Sequence, residues 1–414
     1  MYRISSQMTN SDTQYNLRLQ EMRQNKVDKQ VASQQRIQEL RDDPLAAGHL
    51  VRYQSYKGRI DRFEKNALTM SDQLSVREGY MKQNLDVLQR VRELAVQGSN
   101  GIYSKEDLHN MAVEVDELLG EMIQNANAVG PDGKSLFSGT RTNGTAFEVD
   151  MGNVPGSGSP LITNVRYSGD MGNMQVEVDE NAYITLNNSG NRTFWAEPQQ
   201  LFAERDATGW QAAEDSVISV DGQQIKVSAG DNVYSLVSKI NDSGTAVKAS
   251  IDPITHGLNL TTTDSRQLWL QDVSGNTLNQ LGLIKDSSQQ PPYNLAASAK
   301  VVGGSLFDSV IALRDALLSG DTEQVGTRVL ASLDSGLDNL VTHIAKSGSE
   351  YERLQSEATR NSATSLNTAQ MISAEGDLDF TKAVTDMKML DYVQQATLSR
   401  AGKMYSSTLL NYMR

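Results

Sequence analysis

The chain contains no cysteine in 414 residues. Disulfides, thiolate metal sites and cysteine nucleophiles are excluded together. Aromatic residues make up 6% and hydrophobic residues 38%. That is lean for one large compact core, and better suited to thin helical bundles filled by Leu, Met, Val and Ala. Cationic side chains are also scarce: 38 Lys and Arg stand against 51 Asp and Glu, a net charge of −13. This balance argues against phosphate neutralisation, and so against nucleic-acid binding. No apolar run approaches the ~18 residues of a membrane span, and Met1 to Met8 lacks the apolar stretch of a secretory signal peptide. Neither membrane insertion nor signal-peptide export is expected.

What the chain does have is heptads at both ends. Stepping alternately by three and four from Phe380 meets Ala383, Met387, Leu390, Gln394, Thr397, Ala401, Met404 and Thr408. The same stepping from Ile60 meets Phe63, Ala67, Met70, Leu74, Arg77, Met81, Asn84, Leu88, Val91 and Ala95. Such a stripe needs a partner helix to bury it. A weaker stripe begins at Tyr15, Leu19 and Met22. The pattern points to an assembly subunit rather than an enzyme.

Between the ends the sequence changes character. Residues 1–44 read as a helical arm that breaks at Arg41-Asp-Asp-Pro44, where Asp42 or Asp43 caps a helix opened by Pro44. Residues 45–140 hold the long heptad, a stop at Gly98-Ser-Asn-Gly101, a Ser104/Asp107 cap and a further stripe through Leu108, Met111, Val115, Leu118 and Met122. Residues 141–300 are richer in Gly, Asn, Ser and Thr. There Val217 to Val227 reads as two strands joined at Asp221-Gly222, Asp231 to Asn241 as a helix, and Val247 to Ile251, Leu258 to Thr262 and Leu268 to Leu270 as strands. A division of this insert into two lobes falls near 202–213. Helices resume over 301–374, with stripes Leu306, Val310, Leu313, Leu317 and Leu330, Leu333, Leu337, Leu340, Ile344. Residues 375–414 form a second arm. The fold class is therefore α+β and multidomain: a long antiparallel helical bundle built from both chain ends, a β-rich or α+β insert at its tip, and coiled-coil arms.

Catalytic patterns are weak. His49, His109, His256 and His343 are scattered, with no metal-ligand spacing. Ala128-Val-Gly-Pro-Asp-Gly-Lys-Ser135 fits a relaxed phosphate-loop pattern through Gly133, Lys134 and Ser135, but a helix precedes it where a strand is required. Pro131 also removes an amide donor, so a β-turn is the simpler reading. Glu114, Asp116, Glu117 and Glu121 read as a solvated helix face. No cofactor, metal or catalytic residue is expected.

The stretch Arg90-Val-Arg-Glu-Leu-Ala-Val-Gln-Gly-Ser-Asn-Gly101, with Arg92, Glu93 and Leu94 at its centre, is similar to a signature of the flagellin superfamily. Leu136-Phe-Ser-Gly-Thr140, with Phe137 and Gly139, resembles the turn after that family's third helix. Asp42-Asp43-Pro44 resembles the hook–filament junction branch (hook-associated protein 3), because flagellins usually place alanine at the position of Pro44. Tyr392 to Leu398 and Thr408 to Met413 resemble the terminal helix, and Val217 to Leu283 the insert domain. One departure stands out: Gln34 replaces a family glycine, and this residue type does not favour a left-handed turn.

The resemblance implies a structural adaptor of the bacterial flagellum. Such a protein is exported through the flagellar channel without a cleavable signal, and is extracellular, or periplasmic where the flagellum is enclosed. Its implied partners are further copies in a ring, a hook-side hook-associated protein, flagellin and an export chaperone. The arms, residues 1–31 and 378–414, are expected to fold on assembly. The expected interface comprises Met387, Leu390, Val393, Ala401, Met404, Leu409 and Leu410, with Tyr15, Leu19 and Met22 opposite. The alternatives are flagellin itself, a phosphate-binding enzyme acting through Gly133, Lys134 and Ser135, and a stalked adhesin.

Overall fold

A computed structural model describes the backbone of residues 2–187 and 189–410. The side chains of residues 2–10, 13, 186, 187 and 404–410 lie outside the description. The elements in chain order are α1 (Tyr2–Ser33), α2 (Pro44–Gly98), α3 (Lys105–Ala126), β1 (Phe147–Gly152), β2 (Leu161–Tyr167), β3 (Asn173–Asp179) and β4 (Ala182–Asn187). Next come α4 (Gly190–Thr193), β5 (Gln200–Ala203), β6 (Ser216–Val220), β7 (Gln223–Val227), α5 (Val233–Asp242), β8 (Val247–Ile251), β9 (Leu258–Thr262), β10 (Leu270–Ser274), α6 (Thr277–Gln280) and β11 (Ala299–Val302). The chain then closes with α7 (Leu306–Ser319), α8 (Thr322–Gln324), a π-helical turn (Val325–Val329), α9 (Leu330–Gly376) and α10 (Phe380–Leu410).

Two compact units result: Met1–Lys65 with Ala358–Arg414, and Asn66–Glu357. The helix ends follow the expected chemistry. Asp43 accepts the Ala46 amide at 3.1 Å, with Pro44 at the first helical position. Ser104 and Asp107 form a reciprocal capping box, and Ser305 with Asp308 forms another. Each box satisfies amide donors that the first helical turn leaves free. Gly320 takes the left-handed conformation that ends α7.

In the larger unit, the α2 heptad is the buried face. Leu74, Arg77, Met81, Asn84, Leu88, Val91 and Ala95 are all buried. Helix α9 runs antiparallel to it, pairing Ser71 with Gln355, Arg77 with Ser347 and Arg92 with Asp334. Helices α3 and α7 pack together through Leu108, Val115, Met122, Leu306, Val310, Leu313 and Leu317, each burying its side chain. Each such leucine or methionine contributes about 1.5–3 kcal/mol. Four of the seven phenylalanines in the chain gather at one end of this core. Phe137 meets Phe194 at 5.0 Å, and Phe147 meets Phe307 at 5.0 Å and Phe194 at 5.5 Å.

The insert has its own core, including Leu201, Ile218, Leu236, Ile240, Leu258 and Leu260. Its sheets have strand orders β11-β5-β9-β8 and β10-β6-β7, all pairs antiparallel. The β6–β7 hairpin turns at Asp221-Gly222, both with positive φ, as the residue pair requires. The expected strand at Leu268 to Leu270 instead occupies Leu270–Ser274. Leu268 and Trp269 are buried approach residues, so apolar character alone placed that strand too early. β1–β2 and β3–β4 form separate two-stranded ladders.

Candidate assembly surface

In the smaller unit, α1 and α10 lie against each other. From Ala383 onward burial on α10 follows the sequence heptad: Ala383 and Ala401 are buried, and Met387, Leu390, Gln394 and Thr397 are half-buried. Phe380, the first residue of the stripe, instead sits in the first turn of the helix and is 57% exposed. On α1 the inward residues are Leu17, Leu19, Gln20, Gln24 and Val27. Gln24 donates from Nε2 to Asp391 Oδ1 at 2.6 Å across the pair. Much of the seam is therefore covered within one chain, whereas the sequence had suggested burial only between subunits.

The ten expected interface residues accordingly separate. Met387, Leu390, Ala401 and Leu19 belong to the inner seam. Val393, Tyr15 and Met22 face outward, the last two 64% and 60% exposed. The side chains of Met404, Leu409 and Leu410 lie outside the described residues. The outer face also carries Phe380, Met389, Tyr392 and Leu398, with Tyr392 74% exposed. A second stripe of Met389, Val393 and Ala396 was present in the sequence, one step around the helix from the first. Of these three, only Val393 is among the expected interface residues, because the heptad counted from Phe380 follows the other face.

The arms join the rest of this unit through a polar corner. Gln34 has φ 59, so the left-handed turn exists despite the missing glycine. The Gln34 carbonyl accepts the Leu378 amide at 3.0 Å, and Arg36 N–H reaches the Gly376 carbonyl at 2.8 Å. The bonds formed around Gln34 hold a conformation that its residue type does not favour. Asp42 accepts Lys26 Nζ at 2.7 Å and the amides of Gln38 and Glu39 at 3.2 Å. The Lys26 hydrogen bond is the main cause holding the Asp42 carboxyl below the usual carboxylate range. Asp43 is lowered chiefly by the Ala46 amide and then by Arg36. Asp42, Asp43 and Pro44 are thus a helix-start and corner device.

The other signature residues serve the larger unit. Leu94 is buried, Arg92 pairs with Asp334 at 2.5 Å, and Glu93 pairs with Arg90 at 3.0 Å. Phe137 anchors the phenylalanine cluster, and its carbonyl accepts the Gly190 amide at 2.7 Å. Gly139 has φ 72, and a Cβ there would meet the Asp170 carbonyl oxygen at 2.5 Å, so the position demands glycine.

The phosphate-loop pattern is a turn. The Gly130 amide is bonded to the Lys134 carbonyl, Gly133 to Gly130, Lys134 to Asp132 Oδ1 and Ser135 to the Thr142 carbonyl. Those four amides are committed to partners within the protein and cannot cradle a phosphate. Glu114 pairs with Arg90, and Asp116 with the buried Arg314, each at 2.7 Å. His343 sits beside Arg77, Lys346 and Glu350, and burial pushes its imidazole down to about 4. Among the described residues, no three His, Asp or Glu side chains stand close enough to hold a metal.

Residues 4–142 match the model of the bacterial flagellin N-terminal helical region, and residues 217–264 match the flagellin hook IN motif. The chain is flagellin-like. Flagellin FlaB1 of Treponema pallidum (strain Nichols) is 33% identical over 116 residues, which are 28% of this chain and 41% of that protein. Flagellar hook-associated protein 3 of Escherichia coli (strain K12) is 21% identical over 183 residues, 44% of this chain and 54% of that one. The chain thus spans about half the length, or less, of these curated relatives. Among solved structures, flagellar hook associated protein-3 from Legionella pneumophila is similar, with a TM-score of 0.48 and 16% identity. That match covers 78% of this chain and 97% of the other. The flagellin-like segments contain α2, the Arg92-Glu93-Leu94 signature and the β6–β7 hairpin of the insert.

Proposed function

We propose that this chain is a structural adaptor at the bacterial flagellar hook–filament junction, assembling through its paired terminal helices. One observation carries the reading. The smaller unit covers its α1–α10 seam, yet leaves Tyr15, Met22, Phe380, Met389, Tyr392 and Leu398 exposed on the outside. Though less than half as long as the larger unit, it exposes a comparable number of large apolar side chains. Apolar surface of this kind is hidden by neighbours in an assembly. The flagellin-like segments and the similarity to hook-associated protein 3 give that assembly its setting, and Asp42-Asp43-Pro44 favours the junction over the filament.

On this reading the partners are further copies in a ring, a hook-side hook-associated protein, flagellin and an export chaperone. The chain acts structurally, at the flagellum, after export without a cleaved signal. Bulk flagellin is the second reading, favoured by the 33% identity to a filament protein over the N-terminal region. Immunogold electron microscopy of isolated hook–filament structures separates the two. Label in a narrow band at the outer end of the hook is the expected result. Label along the filament makes this a flagellin, and unlabelled flagella refute both.

A further inference from the structure

The insert and the helical bundle of the larger unit are joined by a neck of two chain segments. Phe194, Trp195 and Ala196 run out beside Gly304, Ser305 and Leu306 running back. The Leu306 amide bonds to the Phe194 carbonyl at 2.9 Å, and the Ala196 amide to the Gly304 carbonyl at 3.1 Å. A neck of two strands resists stretching but bends easily, because both segments lie close to one axis. What stands to the side of that axis decides whether the insert swings.

Beside the neck lies a buried ionic cluster. Helix α4 is held on the bundle side by Asn339 of α9, which donates from Nδ2 to the carbonyls of Arg192 and Trp195, both at 2.8 Å. On the insert side, the Arg192 guanidinium lies 3.6 Å from the Asp221 carboxylate at the β6–β7 turn. Arg266 bonds the same carboxylate and also Asp264. The Asp221 side chain is only 4% exposed, and its amide is fixed to the Trp269 carbonyl at 2.8 Å. Burial opposes charge on Asp221, while the two guanidiniums favour it. Trp269 itself rests on Tyr167, with ring centroids 6.2 Å apart. An exposed strut lies elsewhere: Tyr293 donates to Asp150 at 3.1 Å beneath the Arg166 guanidinium.

We infer that Asn339, Arg192, Asp221 and Arg266 form an orientation clamp that fixes the insert against the bundle. Asp221 and Arg266 both belong to the insert and move together, so a swing breaks the Arg192–Asp221 pair and leaves the largely buried Arg192 guanidinium without its carboxylate. Exposed pairs such as the Tyr293 strut tolerate rearrangement in water. The clamp does not depend on the identity of any assembly partner.

The cysteine-free chain allows a clean test. Spin labels on Glu117→Cys in α3 and Lys248→Cys in β8, both exposed, report the bundle-to-insert distance by pulsed electron spin resonance. The parent should give one narrow distribution. Asp221→Asn and Asn339→Ala should each widen it at least twofold, while amide exchange across Leu258–Thr262 stays slow. Tyr293→Phe should leave the width within a fifth of the parent. Where Asp221→Asn also loosens the β9 amides, Asn339→Ala decides, since it touches no insert side chain. Parental width in Asn339→Ala with an intact insert overturns the clamp.

Discussion

Arg36 donates two hydrogen bonds, from Nε and Nη2, to the main-chain carbonyl of Glu375, at 3.1 and 2.8 Å. The two residues stand 339 positions apart in the chain. A forked guanidinium suits this task because it grips one oxygen from a plane while its remaining nitrogen reaches Asp43 at 3.1 Å. Arg36→Met should cost the smaller unit about 1–2 kcal/mol and speed exchange of the Leu378 amide. Arg36→Lys should restore only part of that loss. Urea unfolding read together with hydrogen exchange makes the comparison, and equal exchange in parent and Arg36→Met would deny the corner its role.

Gln34 holds φ 59 without being glycine. Left-handed backbone costs an ordinary residue roughly 1–2 kcal/mol, part of which glycine returns as extra freedom in the unfolded chain. Gln34→Gly should therefore stabilise the smaller unit by about 0.5–1 kcal/mol. Calorimetry on the two proteins reads the sign directly, and a lower melting temperature for the glycine variant contradicts the strain.

Leu390 and Tyr392 sit two positions apart on α10 but face different ways: the first is half-buried against α1, the second 74% exposed. Leu390→Asp should separate the arms, lowering helical circular dichroism as well as assembly. Tyr392→Asp should leave the helical signal unchanged and still block incorporation into flagella. Normal incorporation of Tyr392→Asp would remove the outer face from the interface.

Phe137→Ala should destabilise the larger unit by about 3–5 kcal/mol, because Phe137 is buried and its ring packs edge-on to Phe194. Thermal unfolding should then begin well below that of the parent. A change under 1 kcal/mol would mean that the cluster relaxes around the gap.

His343 gives a pH dependence of definite sign. Its folded-state pKa of about 4 lies below the ordinary 6.5, with desolvation the first cause and the Lys346 and Arg77 charges next. The unfolded chain then binds a proton that the folded chain refuses. Stability is full above pH 6.5 and falls as pH drops toward 4, by up to about 3 kcal/mol at the low end. Glu350 shifts the opposite way, its carboxyl raised by burial, which offsets part of the loss on the acid side. Urea midpoints at pH 7 and pH 5 should differ less in His343→Gln than in the parent; identical slopes in both would assign the acid sensitivity elsewhere.

Several features were legible in the sequence because their cause is local or periodic. The Pro44 start, the Ser104 box and the Asp221-Gly222 turn are short-range chemistry, and the α2 heptad needed only a count of three and four. The two faces of α10 were harder, because its apolar residues occupy more than half of the helix surface and only a partner reveals which side is inside. Gln34 was illegible for another reason. Its turn is imposed by bonds to Gly376 and Leu378, and no local propensity reports a constraint from the far end of the chain. The phenylalanine cluster draws on residues 137, 147, 194 and 307, whose spacing has no period at all. The Asp221 clamp likewise depends on tertiary approach.

The α3–α7 contact unites residues near 110 with residues near 310. At roughly 5–20 residues per second of synthesis, the second partner arrives some ten to forty seconds after the first. Throughout that interval Leu108, Val115 and Met122 have no α7 to cover them. The separation of the two halves is thus a built-in delay: this part of the core cannot close before Ser319 of the 414 residues has been made.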